Sequence, residues 1–149
     1  MALSEKIRAD LEQALRQRDK MRCSVLRLVL ANVKNTEIAQ QKTLDDQGVL
    51  GAIIRETKQR HESIEAFEKG NRQDLADKEK AELAILMEYL PEQISHDDIV
   101  TAARKVIEEV GATGPGDKGK VMSRLIPQMK GKAEGQEVNA VVSELLSSI

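Results

Sequence analysis

Ser95-His-Asp-Asp-Ile-Val-Thr-Ala-Ala-Arg-Lys-Val-Ile-Glu-Glu-Val-Gly111, followed after Ala112 and Thr113 by Gly114-Pro-Gly-Asp-Lys-Gly-Lys120, is the stretch that decides the fold class. Ser95 is a helix starter, and Asp98 three residues on gives a start resembling a capping box. Ile99, Val100, Ala103, Val106, Ile107 and Val110 then recur at helical spacing, and Gly111 supplies a stop. The glycine run that follows satisfies two phosphate-loop patterns, G-x-G-x-x-G at Gly114, Gly116 and Gly119 and G-x-x-x-x-G-K from Gly114 to Lys120. Both patterns work only where a β-strand ends at the glycines and holds their N–H groups around phosphate. Here a helix precedes them, and Val121 stands where the second pattern needs Ser or Thr for Mg²⁺. The nucleotide reading therefore fails on context, and the chain reads as helical.

The same period runs outward in both directions, with no segment alternating as a half-buried strand would. Leu3, Ile7, Leu11, Ala14 and Leu15 form a first stripe. Val25, Leu26, Val29, Leu30 and Val33 form a second, beyond the charged bend Arg16–Lys20. A third helix carries Val49, Leu50, Ile53, Ile54, Thr57, Ile64 and Phe67 and closes at Gly70, where a left-handed glycine is expected. Its polar side, from Arg55 to Glu68, reads as a solvated face with Glu56–Arg60 and Lys58–Glu62 as partners four residues apart. A fourth helix begins near Asp74 and is stopped by Pro91. After Gly111 come a short helix through Val121, Leu125 and Ile126, bent or ended by Pro127, and a last one through Val138, Val141, Val142, Leu145 and Leu146. The expectation is an all-α chain: a four-helix N-terminal part (1–94), with Pro91–Ile94 as the seam, and a small three-helix C-terminal lobe (95–149).

Composition narrows the function. In 149 residues there are one Phe, one Tyr and no Trp, so the core is aliphatic and base stacking on exposed rings is excluded. A net charge of −2 excludes a general nucleic-acid coat and leaves room for a local basic face. Cys23 is single, so no intramolecular disulfide forms. No apolar N-terminal run resembles a signal peptide and no stretch reaches the ~20 apolar residues of a membrane span, so the expectation is a cytoplasmic protein without membrane contact. His61 and His96 lie near no second ligand at zinc spacing, and the acid pairs sit at helix ends or on polar faces. No catalytic residue, metal site or cofactor is assigned.

Positive charge gathers in two places. One is Arg16, Arg18, Lys20 and Arg22, opposed only by Asp19. The other, and sharper, is Lys118, Lys120, Arg124, Lys130 and Lys132, with no acid between Lys118 and Lys132. These cations bracket a short helix beside Gly119 and Gly131, where a backbone without Cβ lets phosphate approach. Lys118, Gly119, Lys120, Arg124, Lys130, Gly131 and Lys132 form the candidate nucleic-acid-binding set.

The chain resembles the YqeY proteins, a stand-alone group similar to the C-terminal tail of the B subunit of tRNA-dependent amidotransferase. The residues that carry the resemblance are Ser24-Val-Leu-Arg-Leu28, Arg55 through Arg60 with Glu62-Ser63, Phe67, Gly70, Arg72 and Asp74-Leu75. It continues through Glu88-Tyr-Leu-Pro-Glu-Gln93, Gly119-Lys-Val-Met122, Pro127, Lys130-Gly-Lys132 and Gly135, with Glu134 where the family often has Asp. The resemblance implies an all-helical, two-part fold and kinship with a transamidation system whose chemistry lies in other domains, the tail helping to hold tRNA. On that basis the expected role is a non-catalytic accessory protein that binds tRNA or other structured RNA. The alternative is a protein-interaction module docking on the amidotransferase, a synthetase or the translation machinery.

Overall fold

The computed structural model describes residues 2–149, and among these it is all-α, with seven α-helices and one short 3-10 turn. Two compact units divide the chain, Met1–Leu90 and Pro91–Ile149.

The first unit contains α1 (Leu3–Arg16), α2 (Lys20–Gln40), α3 (Asp46–Lys69) and α4 (Gln73–Met87). Their starts follow the local chemistry. Asp19 accepts the Arg22 N–H and Asp45 accepts the Gly48 N–H, each satisfying a donor that the first helical turn leaves unpaired. Ile7, Val25, Leu26, Val29, Val49 and Ile53 meet in an aliphatic core, with Tyr89 packed against it. The Tyr89 hydroxyl donates to Asp10 at 2.5 Å; burial, and then that neighbouring carboxylate, push its pKa up. Cys23 is buried.

Three local expectations change. Gly70 caps α3 at φ −85°, and the left-handed position passes to Asn71 at φ 57°, a residue that tolerates it. Met87 ends α4 before Pro91; the chain leaves in tight turns, with Tyr89 N–H on Leu86 O and Leu90 N–H on Met87 O. The third change is larger. Glu56 and Arg60 are buried rather than solvated, and they do not pair with each other. Asn32 on α2 donates to Glu56, while Arg60 bonds Glu79 and Glu82 on α4. The reason is tertiary: α2 and α4 both pack on α3, α2 meeting Glu56 and α4 meeting Arg60 on the side that a single helix would show to water.

The second unit contains α5 (His96–Val110), a 3-10 turn (Pro115–Asp117), α6 (Lys118–Met129) and α7 (Gly135–Ser147). The Ser95 hydroxyl accepts the Asp98 N–H at 3.2 Å, and Gly111 closes α5 in the left-handed region at φ 67°. Ile99, Val106, Val121, Leu125, Val138 and Val142 make a separate aliphatic core. Pro127 lies inside α6 rather than ending it. Its missing N–H frees the Ser123 carbonyl, and both residues are exposed, so water can satisfy that group. Gln93 Nε2 donates to Gly131 O at 2.5 Å and the Ile94 N–H to Lys132 O at 3.0 Å, which ties the strap before α5 to the turn after α6.

Candidate nucleic-acid interface

On α6 the buried residues Val121, Leu125 and Met129 define the side facing the core. At 100° per residue Lys120 falls on the far side and Arg124, one turn on, along the flank, and both are exposed. Lys118 begins the helix over the core side and is half-buried. Lys130 and Lys132 are exposed in the turn that follows. Twelve residues of helix separate Lys118 from Lys130, about 18 Å along the axis. The cations therefore form two clusters at the ends of one rod, joined by Arg124 along its flank.

Their counter-charges are weak. Lys120 Nζ lies 3.7 Å from Asp117 Oδ1 and Arg124 Nη1 lies 3.7 Å from Glu109 Oε2; Asp117 is half-buried and the other three side chains are exposed. Exposed pairs at that distance contribute little and are easily exchanged for another anion. Lys118, Lys130 and Lys132 make no ion pair among the described residues. Glu134 and Glu137 lie beyond Lys132, at the start of α7, and mark the limit of the basic segment.

The two glycines have different positions from those a phosphate cradle would need. Gly131 is buried, sits at φ 77°, and its carbonyl accepts from Gln93, so it shapes the turn that presents Lys130 and Lys132. Gly119 is helical and exposed, with open space where a Cβ would stand. The glycine loop is likewise occupied by its own carboxylate. Asp117 Oδ2 accepts the Thr113 N–H at 2.9 Å and the Thr113 hydroxyl at 3.2 Å. That backbone hydrogen bond, then the hydroxyl and Lys120, hold the Asp117 pKa below the ordinary carboxylate range. With α5 before it and an anion already in it, this loop lacks the strand-to-helix geometry of a nucleotide site.

Sequence reasoning missed the part played by Gln93 and Asp117, which fix the two ends of the basic segment. Gln93 had a visible signal only as the last residue of Glu88-Tyr-Leu-Pro-Glu-Gln93. The histidines are dispersed: His96 is exposed with Nδ1 3.5 Å from Glu137 Oε1, and His61 is half-buried on α3. Among the described residues no three His, Cys, Asp or Glu side chains are grouped as a metal would require, and no helix is long and apolar enough to cross a membrane.

A family described as Yqey-like protein matches residues 4–146. The chain is similar to "Altered inheritance of mitochondria protein 41, mitochondrial" of Pyrenophora tritici-repentis, 28% identical over 149 residues, covering 96% of this chain and 80% of that protein. The protein of the same name in Saccharomyces cerevisiae is 26% identical over 146 residues, covering 96% and 78%. That of Lachancea thermotolerans is 38% identical over 85 residues, covering 56% of this chain and 46% of the relative, so the chain spans about half of some relatives it matches. These names overturn the cytoplasmic expectation, since the similar proteins are named as mitochondrial. That expectation rested on the lack of an apolar leader, whereas mitochondrial targeting segments are amphipathic and Arg-rich and leave no such mark.

Proposed function

Because the chain belongs to the Yqey-like protein family, we propose that it is a non-catalytic helical accessory protein that holds tRNA or another structured RNA by its phosphates. The observation that carries this reading is the acid-free segment Lys118–Lys132, whose cations lie at both ends and along the flank of α6 with only loose internal partners. Two clusters about 18 Å apart suit two separate contacts on a backbone better than one compact anion. Phosphate contacts position a nucleic acid without reading sequence, and the scarcity of aromatic rings leaves little else. Recognition by shape is the mode that double-stranded RNA admits. The amidotransferase kinship adds a reason to choose tRNA; it rests on resemblance alone.

The test is a tRNA mobility-shift or anisotropy titration over a salt series. Each lysine that contacts a phosphate contributes about 1 to the slope of log K against log salt. Replacing Lys130 and Lys132 together with Ala should lower the magnitude of that slope by roughly 1.5–2. An unchanged affinity and slope would remove this site from the account.

A further inference from the structure

The outer side of α2 has no use in the RNA reading, yet its exposed residues recur at a regular spacing. Ser24, Leu28, Ala31, Asn35 and Ile38 follow one another at spacings of four and three, and all five are exposed. They lie opposite the buried residues Val25, Leu26, Val29 and Val33. A spacing of 3.5 residues is that of a coiled-coil seam. Leu28 and Ile38 are 43% and 66% exposed, two of the few large hydrophobic side chains left open to water. Beside the seam run Lys20, Arg27 and Lys34, all exposed and seven residues apart, spanning about 21 Å. The one acid of α2, Glu37, is half-buried and accepts the Leu44 N–H at 2.8 Å, so it does not offset them.

We propose that this face of α2 docks an acidic amphipathic helix of another protein, its apolar residues on the Ser24–Ile38 seam and its carboxylates on Lys20, Arg27 and Lys34. Charge selects the occupant. A second copy packed antiparallel would set these cations against themselves; packed parallel, it would set them against Val25, Asn32 and Ala39, with no acid in either case. A phosphate polymer would satisfy the cations and leave Leu28 and Ile38 in water, whereas a helix with acids beside an apolar stripe satisfies both. Small residues at Ser24 and Ala31 allow close approach, and Asn35 within the seam favours one register. The proposal is independent of the RNA reading, which uses a different helix in the other unit.

The probe is a fluorescein-labelled 21-residue helical peptide with Leu at both seam positions and Glu at the flanking ones. Its control carries Lys in place of Glu, and both are titrated with the whole chain. The Glu peptide should bind at least tenfold more tightly than the Lys peptide. Binding should fall at least tenfold in the Lys20→Glu, Arg27→Glu, Lys34→Glu variant and, separately, in Ile38→Asp. Far-UV circular dichroism matching the parent shows that these exposed changes leave the fold intact. Equal binding of the two peptides, or retention by either variant, overturns the proposal. So does a tRNA affinity that falls in the triple variant but not in Ile38→Asp, which would assign the face to RNA. A dimer in sedimentation that Ile38→Asp dissolves would assign it to a second copy instead.

Discussion

Replacing Arg60 with Met strips the cation from a cluster that water barely reaches. The Arg60 side chain is 10% exposed, and its partners Glu79 and Glu82 are 22% and 13% exposed. Its Nε is buried without a hydrogen-bond partner, so the site already lacks one bond. Removing one member of a buried pair leaves uncompensated charge, a loss of about 3–5 kcal/mol. A unit the size of Met1–Leu90 has a total stability of roughly 5–13 kcal/mol, so the change would remove a large share of it. With a urea slope near ~2 kcal/mol per M, the unfolding midpoint should fall by roughly 1.5–2.5 M. Tyr89 is the one tyrosine, there is no tryptophan, and its hydroxyl bonds within this unit, so its fluorescence follows the unit selectively. Adding Glu79→Gln and Glu82→Gln to Arg60→Met should recover at least half of the loss, since no unpaired charge is then left buried. A midpoint within about 0.5 M of the parent would give the cluster the value of a surface ion pair, about 0–1 kcal/mol, and refute its burial.

Three further outcomes concern the second unit, which contains no Phe, Tyr or Trp and is followed by circular dichroism at 222 nm. Ser95→Ala removes the α5 cap and should cost about 1 kcal/mol, while Gly111→Ala, at φ 67° with open space around it, should cost about 1–2 kcal/mol from backbone strain alone. Asp117 has a folded pKa below its unfolded value, so its contribution is present above about pH 4 and lost as pH falls through the folded value. Asp117→Asn can keep the Thr113 hydrogen bonds but cannot titrate, so acid titrations of the two proteins should diverge above pH 4 and converge below it.

Two helix boundaries were legible because their signal is local. Ser95 and Gly111 each act within four residues of their own position, and the chain's 3.6-residue period carried the class all-α. What stayed hidden depended on a second element. Glu56 and Arg60 look like surface charge on α3 until Asn32 of α2 meets the first and Glu79 and Glu82 of α4 meet the second. A signal was available, because both interrupt the stripe Ile53, Thr57, Ile64 at spacings of three and four. Gly131 is the converse case. Glycine beside lysines suggested a phosphate contact, whereas its left-handed backbone and its bond to Gln93 are set by a segment 38 residues away. The basic segment itself was legible as charge. Its division into two clusters required the helix length and face.

Whether RNA rests on the proposed C-terminal basic segment is read out by lysine acetylation footprinting with and without tRNA, followed by mass spectrometry. The expected result is protection at Lys118, Lys120, Lys130 and Lys132, with Lys20 and Lys34 on α2 still modified at the rate seen in the free protein. Protection confined to Lys20 and Lys34, or equal modification everywhere in the presence of saturating tRNA, would contradict it.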